Sequence, residues 1–161
     1  MNVRFGVKEI VAAAVVIAVT VAGFYVILSS QTQANVGSIP TRFTANGRTY
    51  GFTYVATNEA EWEAGLMDKK ITNTTFMLFV FPKSAVYPFW MYHVNSSLDI
   101  IWLEVTRTSG RVVYIAPDVP GCPGPVCPNY APSSTANYVI EAQGGFSNAN
   151  GLTVGATVIF G

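Results

Sequence analysis

The only histidine of the chain, His93, lies a few residues before Asp99, with Ser96 and Ser97 between them. Serine, histidine and aspartate are the residue types of an acyl-transfer triad, but side chains from one short loop rarely reach the geometry of that triad. The chain also has no Gly-x-Ser-x-Gly turn to expose a nucleophilic serine. We therefore expect His93 to be an exposed loop residue. We expect Asp99 to accept hydrogen bonds from backbone N–H groups of the loop before it, with ligand binding as the alternative.

The two cysteines of the chain lie close together in the run Cys122-Pro-Gly-Pro-Val-Cys127. In an oxidising exterior, this spacing predicts a disulfide that closes a small loop. A zinc site needs four Cys or His ligands, and the chain has a single histidine. A redox pair usually has the spacing Cys-x-x-Cys, which this run lacks. We predict a structural disulfide between Cys122 and Cys127, and neither a metal site nor a cofactor.

Three carboxylates, Glu59, Glu61 and Glu63, cluster at the start of a predicted short helix. Acidic side chains in a first helical turn interact favourably with the helix dipole, which is the role we expect for them. A calcium site would need more oxygen ligands in a defined loop. Because no acid, base and nucleophile converge in the sequence, we expect a protein without enzymatic activity.

Aromatic residues are dense between positions 89 and 92. Strand alternation sends Trp90 and Tyr92 to one face, and Phe89, Met91 and His93 to the other. One face should pack against the Phe76–Phe81 strand, and the other should be free for contacts. We predict that this region binds a ligand or a partner, with the contact residues Trp90, Tyr92, His93 and Asp99.

These residues belong to an outer domain that we predict to be α+β and β-rich: a single small barrel-like or rolled mixed sheet with one or two short helices. Asn46-Gly47 is a strong hairpin signal between two strand patterns. Asn58 with Glu61 predicts a helix that begins there and ends near Met67. The predicted strands are Arg42–Ala45, Arg48–Ala56, Phe76–Phe81, Pro88–Val94, Leu98–Thr106, Arg111–Ala116, Tyr138–Ala142 and Thr157–Phe160.

A set of short motifs recurs in this domain in a characteristic order. The main motifs are Ala64-Gly65-Leu66-Met67, Met77 to Pro82, Phe89-Trp90-Met91, Leu98 to Ile101, Gly110 to Val113, Cys122 with Cys127, Tyr138 to Glu141, and Gly151-Leu152. The set resembles the uncharacterised prokaryotic family called domain of unknown function 192, over roughly residues 43–160. The resemblance implies a compact β-rich domain that is often exported or membrane-anchored, and it implies no reaction or ligand.

The N-terminal region contains an uncharged apolar run, Ile10–Leu28. At about 1.5 Å per residue it spans roughly 28 Å, close to the thickness of a bilayer core. Arg4 and Lys8 precede the run, and the next basic residue is Arg42, so the positive-inside rule places the N-terminus in the cytoplasm. We predict a cytoplasmic segment at 1–9, a transmembrane helix at 10–28, a polar stalk at 29–40 and an extracellular domain at 41–161.

Two alternatives to a simple single-pass anchor remain open for this region. A secretory signal could be cleaved at Ser29-Ser30. The run Gly6 to Ala12, with Thr20-Val21-Ala22, also resembles the N-terminus of archaeal type IV pilins. That resemblance implies cleavage after Gly6, which leaves Glu9 as the third residue, and assembly of the freed helices into a filament. The helix is rich in Ala and Gly, which suits self-association or packing with other membrane subunits.

Composition limits the remaining functions. Nine basic residues balance nine acidic ones and charged residues make up 11%, so a nucleic-acid partner is excluded for lack of a basic excess. Hydrophobic residues make up 50%, which excludes intrinsic disorder. Asn73 and Asn95 head glycosylation sequons in predicted loops on the outer side. We therefore expect a membrane-anchored binding or accessory module, with membrane lipid as one partner and a pilin-like filament subunit as the alternative.

Overall fold

The computed structural model describes residues 38–161, in which Pro40–Gly161 form one compact unit. The expected cytoplasmic segment at 1–9, transmembrane helix at 10–28 and most of the stalk at 29–40 lie outside the described residues. The same holds for the alternative cleavage positions after Gly6 and at Ser29-Ser30. Between residues 38 and 161, no helix combines the length and apolar character that crossing a membrane requires.

Residues 38–161 contain ten strands and two short helices. Eight strands form one sheet in the order β2-β1-β10-β7-β6-β9-β4-β3, curled into a half-barrel, and β5 pairs with β8 in a second, small sheet. This confirms the predicted β-rich fold with a rolled mixed sheet and short helices. The elements are β1 (Arg42–Ala45), β2 (Arg48–Gly51), β3 (Tyr54–Ala56), α1 (Glu59–Ala64), β4 (Phe76–Ala85), β5 (Phe89–Trp90), β6 (Leu98–Thr106), β7 (Ser109–Val119), β8 (Asn129–Tyr130), β9 (Ala136–Gln143), α2 (Phe146–Ala149) and β10 (Thr157–Phe160).

The predicted hairpin is present, with Asn46 and Gly47 at φ 48° and 78° in the turn. Positive φ at both central residues is the geometry that this dipeptide favours. The predicted strand Arg48–Ala56 is wrong as one element. Its first part, β2, pairs with β1, whereas β3 crosses over to pair in parallel with β4. The β3–α1–β4 connection therefore places α1 beside the sheet.

The central strands β6 and β9 are buried on both faces, because two separate cores pack against the sheet. Ile100 and Trp102 point into the first core, which α1 and the β5 segment cover. Ile101 and Leu103 point into the second core, which β1, β10 and α2 close. This alternation explains why β6 is an almost continuous apolar run and matches its predicted bounds.

Several element boundaries differ from those predicted. Strand β4 continues past Pro82, because its pairing with β9 is interrupted between Val80 and Ala85 and no ladder bond is required there. Strand β7 begins before Arg111, since the turn lies at Arg107, whose φ is 57°. Within the predicted strand Pro88–Val94, the structure has the two paired residues of β5 and, separately, an isolated bridge residue, Tyr92.

Candidate functional site

Helix α1 begins with a network of side-chain hydrogen bonds. The Asn58 side chain accepts a bond from the backbone N of Glu61 at 3.1 Å. In return, Glu61 Oε2 accepts bonds from the backbone N of Thr57 at 2.6 Å and from its hydroxyl at 3.2 Å. The bond from the Thr57 backbone lowers the pKa of the Glu61 carboxyl below its ordinary value. Glu61 is thus a capping residue, as its spacing from Asn58 predicted.

The helix ends three residues before the predicted end at Met67. Gly65 adopts a φ of 45°, and its N–H donates to the carbonyl of Glu61 at 3.0 Å. A positive φ combined with a ψ of −134° is a backbone conformation that glycine adopts without a Cβ clash, which suits Gly65 to the end of the helix. The chain then turns, so that the buried Leu66 enters the first core.

The segment Phe89 to His93 carries the predicted contact residues and faces α1. Phe89 and Met91 are buried, whereas Trp90 keeps 44% of its surface exposed. The rings of Trp90 and Tyr92 stack with centroids 5.3 Å apart. Alternation therefore gives the predicted outward pair of aromatic residues.

His93 does not follow the predicted alternation. Its φ of 53° ends the extended conformation, so its exposed ring lies against Tyr92 with centroids 4.2 Å apart instead of joining Phe89 and Met91 in the core. His93 Nδ1 lies 3.4 Å from Asp68 Oδ1. Both side chains are well exposed, and such a pair contributes little to stability. His93 thus belongs to the exposed aromatic surface, defined here as Trp90, Tyr92 and His93.

The disulfide loop lies next to the exposed aromatic surface and forms hydrogen bonds with its backbone. Cys122 and Cys127 are bonded to each other, which confirms the predicted disulfide. The backbone N of His93 donates to the Cys122 carbonyl at 3.0 Å, and the Cys122 N donates to the Met91 carbonyl at 3.1 Å. Tyr92 forms an isolated parallel bridge with Cys122. The exposed aromatic surface is therefore held by backbone bonds on a covalently closed loop.

A groove of about 450 Å³ lies between α1 and the β4–β5 connection. Its walls are preformed: the rings of Trp62 and Phe81 lie 5.0 Å apart, and those of Phe81 and Tyr87 stack at 3.7 Å. The Trp62 indole N–H donates to the Ala56 carbonyl at 3.2 Å. The groove is lined by Glu59, Trp62, Glu63, Phe81, Tyr87, Pro88, Phe89 and Trp90.

A much smaller slot, of about 20 Å³, adjoins the groove. Trp62, Glu63, Phe89 and Trp90 line both cavities. Tyr92 of the exposed aromatic surface also lines the slot. Two of the three glutamates that we assigned to the helix dipole, Glu59 and Glu63, thus also line the groove, while Glu61 points back to Thr57.

Glu141, on β9, lines the slot and is a residue that the sequence analysis did not select. Its neighbours in register are Met77 on β4 and Ile100 on β6, and it is 3% exposed. Its Oε2 has no hydrogen-bond partner. Burial raises the pKa of the Glu141 carboxyl to about 8. The sequence feature that could have identified Glu141 is its position as the single acidic residue in the otherwise uncharged strand pattern Tyr138 to Ala142.

Asp99 lies away from this site, in the second core, and is fully buried. Its Oδ1 accepts bonds from the backbone N of Asp118 at 2.8 Å and of Gly145 at 2.9 Å. Its Oδ2 accepts one from Ser147 N at 2.6 Å. The predicted bonding to backbone N–H groups is thus correct in kind, but the donors belong to β7 and the start of α2 and not to the preceding loop. The structure does not bring Asp99 together with Trp90, Tyr92 and His93.

The other predicted positions lie outside this site. Asn73 is exposed in the loop between α1 and β4, and Asn95 is exposed in the loop between β5 and β6. Across residues 38–161, no three His, Cys, Asp or Glu side chains converge in a way that could hold a metal ion.

Comparison with known proteins identifies relatives of the domain that the structure describes. The model of the family DUF192, described as an uncharacterized ACR, matches residues 42–160. A crystal structure of a protein of unknown function from Novosphingobium aromaticivorans is 24% identical with a TM-score of 0.62, over 74% of this chain and 83% of that one. A candidate transcription regulator from Sinorhizobium meliloti is 23% identical with a TM-score of 0.62, over 79% of this chain and 98% of that one. No curated protein matches the chain significantly. At these identities the solved structures show the shared fold alone.

Proposed function

Since the chain belongs to the DUF192 family, which assigns it no reaction, we propose that its outer domain is a non-catalytic module that binds a ligand in the groove. The observation that carries this proposal is the stacked pair of the exposed Trp90, which lines the groove, and the half-buried Tyr92, which lines the adjoining slot. A cavity of about 450 Å³ falls in the range of about 300–1,000 Å³ that is usual for small-molecule sites.

The rigidity of the site also supports binding. Trp62 and Tyr87 each donate a hydrogen bond to a backbone carbonyl, which fixes their rings before any ligand arrives. The disulfide loop holds the backbone on both sides of Tyr92, because Cys122 forms hydrogen bonds with the backbone of Met91 and His93. A preorganised site loses less conformational entropy on binding, so more of the contact energy appears as affinity.

Full-length protein in a nonionic detergent, used as bait for native membranes and their surrounding medium, tests this proposal. Trp90→Ala and Tyr92→Ala should each weaken recovery of the bound compound about 30-fold, the equivalent of about 2 kcal/mol for a buried aromatic anchor. His93→Ala should have a smaller effect, because His93 lies against Tyr92 but lines neither cavity. Ile159→Ala, at a residue of similar exposure (46%) on β10, is the matched control. Equal recovery by the Trp90 and Tyr92 variants, with folding intact, would overturn the proposal.

We also propose that the Ile10–Leu28 helix anchors this module, with residues 1–9 in the cytoplasm and the domain outside. The support is the charge asymmetry of Arg4 and Lys8 against the uncharged segment that follows the helix. Protease added to intact cells should remove the outer domain, and full protection would contradict this orientation. The N-terminal residue of the native protein distinguishes an anchor, which retains Met1, from a processed pilin-like subunit, which begins at Val7.

A further inference from the structure

The charges around the groove and the slot are all acidic. Glu59 and Glu63 line the groove, and Glu63 and Glu141 line the slot. Among the described residues that line either cavity, none is Lys, Arg or His. A cavity whose only charged lining groups are carboxylates has a negative potential, which attracts cations and repels anions.

The aromatic walls favour the same kind of ligand. Trp62 and Trp90 line both cavities, and Phe81 and Tyr87 extend the groove as a stacked pair. The faces of aromatic rings attract ammonium groups, and the Trp ring does so most strongly. The same ring faces also bury an alkyl chain. Carboxylates and ring faces together therefore select a cation that carries an apolar stem.

The slot contributes an independent observation. Glu141 Oε2 is buried without a hydrogen-bond partner, and such a group destabilises the fold until a donor reaches it. The slot volume of about 20 Å³ exceeds the roughly 10–15 Å³ that one water molecule needs. A primary ammonium head is about the size of a water molecule and carries three N–H donors, whereas a quaternary ammonium is larger and has none.

We propose that this site binds a small primary alkylammonium ion, whose head donates to Glu141 in the slot while its alkyl stem lies between Trp62 and Trp90 in the groove. This inference rests on the proposed function and adds the chemical class of the ligand. No covalent step occurs. The ligand enters as a cation, and Glu141 meets it as a carboxylate.

A proton is therefore released when the ligand binds. Because burial raises the pKa of the empty Glu141 carboxyl to about 8, the carboxyl is protonated at neutral pH and passes this proton to solvent as the ammonium enters. The titratable groups facing the slot are Glu63 from α1 and Tyr92 from the segment after β5. The neighbours on β4 and β6, Met77 and Ile100, carry none. Affinity should fall about tenfold for each pH unit below 8 and level off above it.

The test is NMR titration of the indole N–H groups of Trp62 and Trp90 in full-length protein in nonionic detergent. At pH 8.5, n-butylammonium should shift both indole signals in a saturable manner. It should bind at least tenfold more tightly than n-butanol, an uncharged compound with the same alkyl chain. It should also bind at least tenfold more tightly than tetramethylammonium. Glu141→Gln should lose at least tenfold in affinity and abolish the pH dependence. The matched control is Glu104→Gln, because Glu104 Oε2 is also buried without a partner but lies outside both cavities.

Any one of the following results would overturn the inference. Equal binding of n-butanol would show a groove that binds apolar stems without selecting a cation, and would leave the proposed function standing. Equal binding of tetramethylammonium, or an unchanged affinity in Glu141→Gln, would place the cation outside the slot. If Nα-acetyl-lysine N-methylamide binds ten times more tightly than n-butylammonium, the ligand is a lysine side chain of a partner protein and not a small ammonium ion. If no probe shifts Trp62 or Trp90, the inference fails, and the capture experiment with the Trp90 and Tyr92 variants decides the proposed function separately.

Discussion

Asp99 and Glu141 lie on the neighbouring strands β6 and β9, yet their carboxyl groups enter opposite faces of the sheet. Glu141 is in register with Ile100, and Asp99 is in register with Ala142. Three backbone N–H groups donate to Asp99, whereas Oε2 of Glu141 has no partner. One buried carboxyl group thus joins β7 to the start of α2, whereas the other has an oxygen available to a ligand.

Replacing Asp99 should destabilise the domain strongly. In Asp99→Ala, three N–H donors lose their acceptor, and in Asp99→Asn an NH2 group replaces one carboxyl oxygen and faces at least one of those donors. We expect each variant to lose about 3 kcal/mol or more of unfolding free energy, measured by urea denaturation. Thr106→Ala, at an exposed position on the same strand, is the control and should change little. A loss below about 1 kcal/mol in both Asp99 variants would contradict this role.

Glu141 should make stability depend on pH. Its pKa in the folded state is about 8, above its ordinary value of 4.5. The folded state therefore binds the proton more tightly, so this stabilisation is complete below pH 4.5 and is lost as the pH rises through about 8. Relative to Glu141→Gln, the wild type should lose up to about 1.4 kcal/mol per pH unit between about pH 5 and 8.

Urea denaturation at pH 5, 6.5 and 8 measures this difference, with Glu63→Gln, an exposed carboxyl near the slot, as the control. The control should retain the slope of the wild type. Parallel pH profiles for the wild type and Glu141→Gln would show that Glu141 does not titrate in this window.

Gly121 should not tolerate a side chain. An added Cβ would collide with the backbone carbonyl of Val94, in the turn that follows His93. Because a backbone group cannot move aside as a flexible side chain can, Gly121→Ala should cost about 2 kcal/mol and shift the Trp90 indole signal. Gly124→Ala, in the same loop, has nothing within 4 Å of its Cβ and should be neutral. Similar stability of the two variants would exclude this close packing.

The disulfide should stabilise both the fold and the exposed aromatic surface. Closing so short a loop contributes about 2 kcal/mol by the chain-entropy estimate. We expect the double variant Cys122→Ser, Cys127→Ser to lose about that much, and the His93 amide, which donates to Cys122, to exchange faster. Intact mass under non-reducing conditions should show no free thiol in the wild type. Two alkylatable cysteines in the native protein, or unchanged exchange at His93 in the variant, would contradict this role.

The local elements could be predicted from the sequence because their signals are local. Asn46-Gly47 specifies a tight turn, Asn58 and Glu61 specify a helix start, and the apolar run of β6 specifies a strand buried on both faces. The disulfide followed from the short distance between Cys122 and Cys127 in the chain. The outward orientation of Trp90 and Tyr92 followed from the two-residue period of an extended strand.

Tertiary structure alone decided which of these residues form a site. Strand order brings β9 between β4 and β6, and this places Glu141 beneath α1, far along the chain from Trp62 and Trp90. Asp99, close to His93 in sequence, faces the opposite core because residues of opposite parity on a strand enter opposite faces. His93 left its predicted face because one residue with positive φ reverses the alternation. Spacing along the chain determines local geometry, whereas the partners of a buried carboxyl depend on strand pairings between residues distant in sequence.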